Sequence, residues 1–284
     1  MAIKNLLENT LKEEEINEII KMYQNNISLR QIAEKTHHSR AALSQMLEHL
    51  GIKKTKGNHY RKYFFDFNYF EKIDDEKKAY WLGFLYADGN IVKQDNRGYG
   101  EQEFKISVAK RDEEILEKYK EDLKSTYPLR YDESSHKQNP KNQIQVICSY
   151  RSQKTVEDLK KLGCVENKSL ILTFPNEQQV PNEFIYNFIR GYFDGDGSIT
   201  SYQGKYNINI VGTKDFISKL ATYFEGGSVY QDKRKENSWY YNLGGNYQVL
   251  KFYHLLYDNS TRYLKRKYDK FQPLINKYEE IQGI

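Results

Sequence analysis

The chain is poor in cysteine. Cys148 and Cys164 are the only two among 284 residues, which excludes a disulfide scaffold and a cysteine-rich zinc module. Its six histidines form no HExxH motif and no tight His/Cys cluster. No long apolar run exists. The longest weakly polar stretch, Ala79 to Ala87, has nine residues, against about 20 needed to span a bilayer. The start, MAIKNLLENTLKEEE, turns acidic where a secretory signal needs an apolar centre. A soluble, cytoplasmic protein with no membrane partner is expected. An excess of one charge is also missing. Lys and Arg number 44 and Asp and Glu 39, a net charge of +5, which argues against a uniformly cationic coat but allows a basic face.

Aromatic residues are abundant, at 14% with 25 tyrosines, so the chain can pack a core despite a mean hydropathy of −0.85. Residues 11–52 read as three helices. Ile16, Ile19, Ile20 and Tyr23 recur at helical spacing from about Lys12 to Gln24. Ser28 and Ser39 stand at N-cap positions before LRQIAEKT and RAALSQMLEHL, and Gly51 ends the last run. Leu29, Ile32, Ala33, Leu43, Leu47 and Leu50 supply apolar positions. A short helix, a tight turn and a second helix suit a helix-turn-helix, with Arg40, Ser44 and Gln45 facing outward to duplex DNA. The bland alternative is a three-helix packing module. Residues 53–72 then carry six basic and two acidic groups with interleaved aromatics. They read as a tether along phosphates, as a linker packing its aromatics on the next domain, or as both. The expected division is 1–55 helix-turn-helix, 56–72 basic aromatic linker, 73–178 first repeat and 179–284 second repeat.

The internal repeat is the most informative feature. YWLGFLYADGNI (80–91) aligns with FIRGYFDGDGSI (188–199), pairing Gly83 with Gly191, Ala87 with Gly195, Asp88 with Asp196 and Gly89 with Gly197. Each copy continues as two strands, a helix, two strands and a helix, with Pro175 and Pro181 at the joint. Gly83 and Ala87, like Gly191 and Gly195, lie four apart and share a helix face. Small residues there let two helix backbones approach. The two motif helices are therefore expected to touch, with Asp88 and Asp196 at adjacent C-terminal ends and Gly89 and Gly197 as left-handed caps. Two carboxylates at two negative helix poles repel unless a cation sits between them. Their oxygen ligands favour Mg²⁺, with Mn²⁺ as a substitute, over zinc. Such ions activate water for phosphodiester cleavage.

On these motifs, residues 73–284 resemble the LAGLIDADG homing endonuclease family in its single-chain, two-motif form. The resemblance implies an α+β fold of two pseudo-symmetric αββαββα repeats forming a saddle over DNA, here preceded by a small all-α helix-turn-helix domain. It places the metal-binding acids at Asp88 and Asp196. At the sixth motif position Tyr86 replaces the usual acid in the first copy, while Asp194 keeps it in the second. The family's basic residue near the active centre aligns with Lys168 and Lys267, where ordinary surface lysines are the alternative. Lys93, Gln94, Arg97 and Lys105 in the first copy, and Tyr202, Gln203, Lys205, Lys233 and Arg234 in the second, are candidate DNA contacts. Asn207 and Asn209 belong to the same set. The expected activity is site-specific double-strand cleavage at a long asymmetric target by a monomer needing no protein partner, encoded in a mobile element and nucleoid-associated when bound to DNA. The competing readings are a non-catalytic DNA-binding regulator and an RNA-binding splicing helper. The termini carry no splicing chemistry, so a free-standing protein is expected rather than an intein.

Overall fold

A computed structural model describes residues 11–24, 27–50, 52, 63–93, 101–235 and 237–282. The chain divides into two compact units, 1–64 and 65–284.

The smaller unit contains α1 (Glu13–Gln24), α2 (Leu29–Thr36) and α3 (Arg40–His49). Ser28 caps α2 through a reciprocal box with Gln31, and the Ser39 side chain accepts from the Ala42 amide, each satisfying a backbone donor the first turn leaves open. His37 ends α2 in the left-handed region at φ 59°. Ile19, Met22, Tyr23, Ile32, Leu43, Met46 and Leu47 form a separate core. Leu50 departs from the pattern. It is 39% exposed because α3 ends there, and Met46 takes the interior position one turn earlier. Gly51 lies outside the described residues.

In the larger unit the first copy runs α4 (Glu76–Asp88), β1 (Gly89–Ile91), β2 (Glu103–Ala109), α5 (Glu113–Asp122), β3 (Arg130–Asp132), α6 (Ser134–Gln138), β4 (Gln145–Arg151) and α7 (Gln153–Lys161). The second runs α8 (Ile185–Asp196), β5 (Gly197–Tyr202), β6 (Lys205–Gly212), α9 (Lys214–Ala221), β7 (Ser228–Gln231), β8 (Trp239–Gly244), α10 (Asn246–Tyr257) and α11 (Lys265–Gln282). Two antiparallel four-stranded sheets result, ordered β1-β2-β4-β3 and β5-β6-β8-β7. Helix α6 interrupts only the first copy, and α11 extends only the second.

Period-two alternation decides the layers. Phe104, Ile106, Val108, Val146, Cys148 and Tyr150 point inward and are buried, as are Ile208, Ile210, Tyr241 and Leu243 in the second sheet. Helices cover these faces, and the opposite faces stay polar and accessible. Phe65, Tyr69, Phe70 and Ile73 are also buried in the main core. Phe65 packs at ring-centroid distances of 4.5 Å from Tyr150 and 5.9 Å from Phe104. Phe65, Phe67, Tyr69 and Phe70 thus pack in the main core, Phe64 stays 49% exposed, and residues 53–62 lie outside the described residues.

The two copies interlock. Asp122 of α5 accepts from Arg262 at 2.6 and 2.7 Å and from the Trp81 indole at 2.7 Å, and Arg266 grips Asp112 at 3.1 Å. The segment before α11 and the first turn of that helix therefore clasp the first copy through charge-assisted bonds.

Candidate active site

Helices α4 and α8 form the centre of the larger unit. Every residue from Ala79 to Tyr86 is buried, and so is every residue from Phe188 to Asp194. The four small residues do what their spacing predicts. A Cβ placed on Gly83 would stand 2.0 Å from the Phe188 carbonyl oxygen, and one on Gly191 would stand 1.9 Å from that of Tyr80. A Cβ on Gly195 would fall 2.2 Å from the Cβ of Ala87. Backbone lies on backbone, so only glycine fits at positions 83 and 191.

This crossing brings the ends of the helices together at Asp88 and Asp196. The Gly195 Cβ position is 3.3 Å from Asp88 Oδ2. Asp88 keeps one side open to solvent and Asp196 is half-buried, yet protein crowds both carboxyls. Burial, and next the Asp196 carboxylate, push Asp88 up to about 6, against the pull of Lys267 and Lys168. Burial raises Asp196 as well, opposed by Lys168, Lys267 and the Tyr192 hydroxyl. Desolvation and mutual repulsion both disfavour two charges here, and a cation would relieve both.

The caps correct one expectation. Gly89 and Gly197 are not left-handed. They have φ −76°, ψ 150° and φ −93°, ψ 166°, because each helix passes straight into the first strand of its sheet. Glycine is required for a different reason. A Cβ on Gly89 would meet the Leu85 carbonyl oxygen at 2.4 Å, and one on Gly197 the Phe193 ring at 2.1 Å.

Both lysines singled out in the sequence reach this centre. Lys168 is 9% exposed and donates to the Gly89 carbonyl. Lys267 is 3% exposed and donates to the carbonyls of Phe193 and Asp194 at 2.6 Å and Gly195 at 3.1 Å. Carbonyls in the last turn of a helix lack intrahelical donors and carry partial negative charge, so an ammonium settles there. Burial brings Lys267 down to about 8, with Asp194, Asp88 and Asp196 opposing the fall and Arg266 assisting it. Its neighbours are engaged elsewhere: Lys265 pairs with Asp269 at 2.8 Å and Arg266 with Asp112.

Asp194 is 1% exposed and accepts from the Tyr80 hydroxyl at 2.9 Å, the Tyr257 hydroxyl at 2.7 Å and the Leu264 amide at 2.7 Å. It joins α4, α10 and the start of α11. Burial raises its carboxyl despite the pull of Lys267 and these donors. Tyr86, at the matching position of the first copy, donates to the Leu162 carbonyl at 2.5 Å. Each motif helix is thus tied through its sixth position to the segment that delivers the lysine. Sequence reading noted the Tyr86/Asp194 difference but could not supply Leu162 or Leu264 as partners.

Among the described residues no group of three or more His, Cys, Asp or Glu could hold a metal ion. Two carboxylates beside a solvent-open cleft suit a hard cation that takes its other oxygens from water and a phosphate, as Mg²⁺ does. A cavity of about 520 Å³ opens beside Asp196, bounded in part by Lys168, Tyr192 and Lys235.

The candidate DNA contacts fall in several places. Lys93 is exposed at the end of β1, and Lys105 stands on the open face of β2. Tyr202, Gln203 and Lys205 form the exposed β5–β6 hairpin tip, with Gln203 at φ 48°. Lys233 and Arg234 lie in the β7–β8 turn, where Arg234 is folded onto Asp232 at 3.1 Å. Gln94 and Arg97 lie outside the described residues. In the smaller unit Arg40 and Gln45 are exposed on α3, and Ser44 is half-buried.

Comparison with known proteins bears on the fold. Residues 183–256 match the family model of the LAGLIDADG-like domain. A lysine-to-alanine mutant of I-SmaMI superposes with a TM-score of 0.50 at 15% identity, over 72% of this chain and 92% of that one. The meganuclease I-SmaMI bound to uncleaveable DNA with a TTGT central four matches at 0.50 and 13% identity, over 75% and 91%. The LAGLIDADG meganuclease I-AabMI bound to uncleaved DNA follows at 0.48 and 14%, over 72% and 91%. No curated protein matches the sequence. The second copy therefore contains a LAGLIDADG-like domain, and the larger unit has the fold of the LAGLIDADG meganucleases.

Proposed function

We propose that this chain, built on the LAGLIDADG meganuclease fold, is a site-specific double-strand DNA endonuclease acting as a monomer on a long asymmetric target. The observation that carries the reading is the crossing of α4 and α8. Backbone contact at Gly83 and Gly191 holds Asp88 and Asp196 together at one end, and each is backed by a buried lysine. A packing device alone has no use for two raised carboxyls at adjacent helix ends.

Asp88 and Asp196 would hold Mg²⁺, or Mn²⁺ in its place. A bound ion supplies Lewis-acid activation of water and charge stabilisation at the leaving oxygen. The protein's own groups do the rest. The helix crossing fixes the separation of the carboxylates. Lys168 and Lys267, anchored on backbone carbonyls, present positive charge where a pentavalent phosphate accumulates negative charge. With its pKa near 8, Lys267 is still largely an ammonium at neutral pH. The open faces of the two sheets would lie along the duplex. The division into repeats at 73–178 and 179–284, and a DNA-tethering role for α1–α3, belong to the same proposal.

The test is a cleavage survey. Purified protein is incubated with a complex DNA library in Mg²⁺ or in EDTA, with Asp196→Asn as control, and new ends are sequenced. Recurrent paired breaks at one asymmetric site, requiring Mg²⁺ and absent from the variant, support the proposal. Protection of a site without breaks, unchanged in the variant, would replace it with the regulator reading.

A further inference from the structure

The two copies differ in what stands behind their acids. In the motif alignment Phe84 occupies the position of Tyr192, four residues before the acid in each helix. Both rings are buried, so the second copy holds an interior hydroxyl where the first has only carbon. The sheet makes room for it. Gly89 pairs with Ile106 and Gly197 with Ile210, and this common register sets the buried Val108 of β2 in the place of Gly212 of β6. A Cβ on Gly212 would stand 2.9 Å from the Tyr192 hydroxyl oxygen, inside the 3.4 Å of ordinary contact. Phenylalanine thus goes with valine in one copy, and tyrosine with glycine in the other. The centroid of the Tyr192 ring lies 4.1 Å from that of Phe216, which limits where the hydroxyl can point.

That hydroxyl has one proton and two acceptors in reach. It donates to the Val211 carbonyl at 2.9 Å, and it bears on the Asp196 carboxyl, favouring the charged form. Tyr192 and Asp196 border the same cavity. No side chain among the described residues donates to Asp88, on which burial and the Asp196 charge act against two lysines. A tie between α8 and β6 would account for the Val211 bond alone, but not for the same hydroxyl reaching the acid. A carboxylate that meets a cation with one oxygen leaves the other for a donor. A hydrogen bond to a charged acceptor is about twice as strong as one to a neutral carbonyl, and such donors orient the carboxylate for its ion.

We infer that Tyr192 is a positioning residue for Asp196: its hydroxyl, shared between the Val211 carbonyl and the carboxylate, sets the orientation in which Asp196 takes a cation, and the lack of a counterpart behind Asp88 makes the two acids unequal. This rests on the DNA-cleaving reading above and deepens it. With one acid held and the other free to turn, the two strands of the duplex are cut at different rates.

The experiment compares full-length wild type, Tyr192→Phe and Tyr192→Phe/Gly212→Ala, with Asp196→Asn as the blank. Mn²⁺ binding is followed by loss of the free-ion signal in electron paramagnetic resonance. Nicking of each strand is timed on the duplex recovered by the cleavage survey, labelled differently on its two strands. A cooperative melt confirms that each variant folds. Removing a hydrogen bond to a metal-binding carboxylate costs about 10- to 100-fold in affinity or rate. Tyr192→Phe should weaken Mn²⁺ binding by that factor and slow one strand more than the other. In the double variant the alanine fills the space the hydroxyl leaves, and Mn²⁺ affinity should stay low. If Tyr192→Phe binds Mn²⁺ as wild type does, or slows both strands alike, or regains its affinity with the alanine, the inference is overturned while the DNA-cleaving reading stands. If wild type cuts no duplex and binds no more Mn²⁺ than Asp196→Asn, that reading falls and takes the inference with it.

Discussion

Replacing Gly191 with alanine tests the geometry on which the site depends. The added Cβ would stand 1.9 Å from the Tyr80 carbonyl oxygen and 2.8 Å from the Phe84 nitrogen. Both are backbone atoms and cannot swing aside. Bringing the 1.9 Å contact out to the 3.4 Å of ordinary packing requires α4 and α8 to part by about 1.5 Å. Overpacking of a tight core costs about 1–3 kcal/mol, and a clash between two buried helix backbones belongs at the top of that range. For a unit of this size about 3 kcal/mol lowers the melting temperature by roughly 6–12 °C. The same movement separates Asp88 from Asp196, and a misplacement of about 1 Å is enough to slow chemistry on the order of 100-fold. Thermal unfolding followed by circular dichroism reads the first effect, and cleavage of the selected target below the melting range reads the second. Gly244→Ala is the comparison. Its Cβ would meet only the Asn207 side-chain oxygen, at 3.2 Å, so its effect should stay within about 0.5 kcal/mol. Gly83→Ala should resemble Gly191→Ala, and the double variant should cost less than the two together, because one separation relieves both contacts. A Gly191→Ala protein melting within about 2 °C of wild type would refute the reasoning.

Asp194→Ala leaves the hydroxyls of Tyr80 and Tyr257 and the Leu264 amide without their acceptor. At about 1–3 kcal/mol for each orphaned donor, urea unfolding should show a loss of at least about 3 kcal/mol. Asp194→Asn keeps one accepting oxygen and should recover part of it, and equal losses would contradict this account of the network. Lys267 falls to about 8 in the fold from an ordinary 10.5. Between those values the unfolded chain holds a proton that the folded chain has released, so the lysine's contribution to stability rises with pH. Relative to Lys267→Met, wild type should gain on the order of 2–3 kcal/mol from pH 8 to pH 10.5, and a difference that is flat with pH would show that the ammonium is not desolvated. If six to ten phosphates are contacted, binding to target duplex should weaken by about 10³–10⁵ between 50 and 200 mM salt. Fluorescence anisotropy would measure it, and a flat response would remove the duplex as partner.

Some of the site could be read along the chain because its signals are local. Alternation in FKISVAK and YNINIVG places the buried faces of β2 and β6, and serines three residues before their partners announce the caps of α2 and α3. Asp88 and Asp196 stood out because the whole pattern around them occurs twice. The expected handedness of Gly89 and Gly197 came out wrong for a related reason. A glycine after a helix usually marks a left-handed stop, and only the following strand shows that the chain runs on extended. The exposed Leu50 is a case of the same kind, a periodic position whose helix ends before the period matters.

The repeat, the small residues four apart and the acids that follow them were determined by sequence alone, since each is a matter of spacing within one turn or one strand. Tertiary structure decided which groups those residues meet. Gly83 needs Phe188, Asp194 needs Leu264, and among the adjacent cations Lys265, Arg266 and Lys267 only packing decides that Lys267 reaches the carbonyls of α8 while the others pair outside. The physical reason is distance along the chain. Periodicity records which side of an element is buried, but a partner seventy or more residues away is selected by the shape of the whole core.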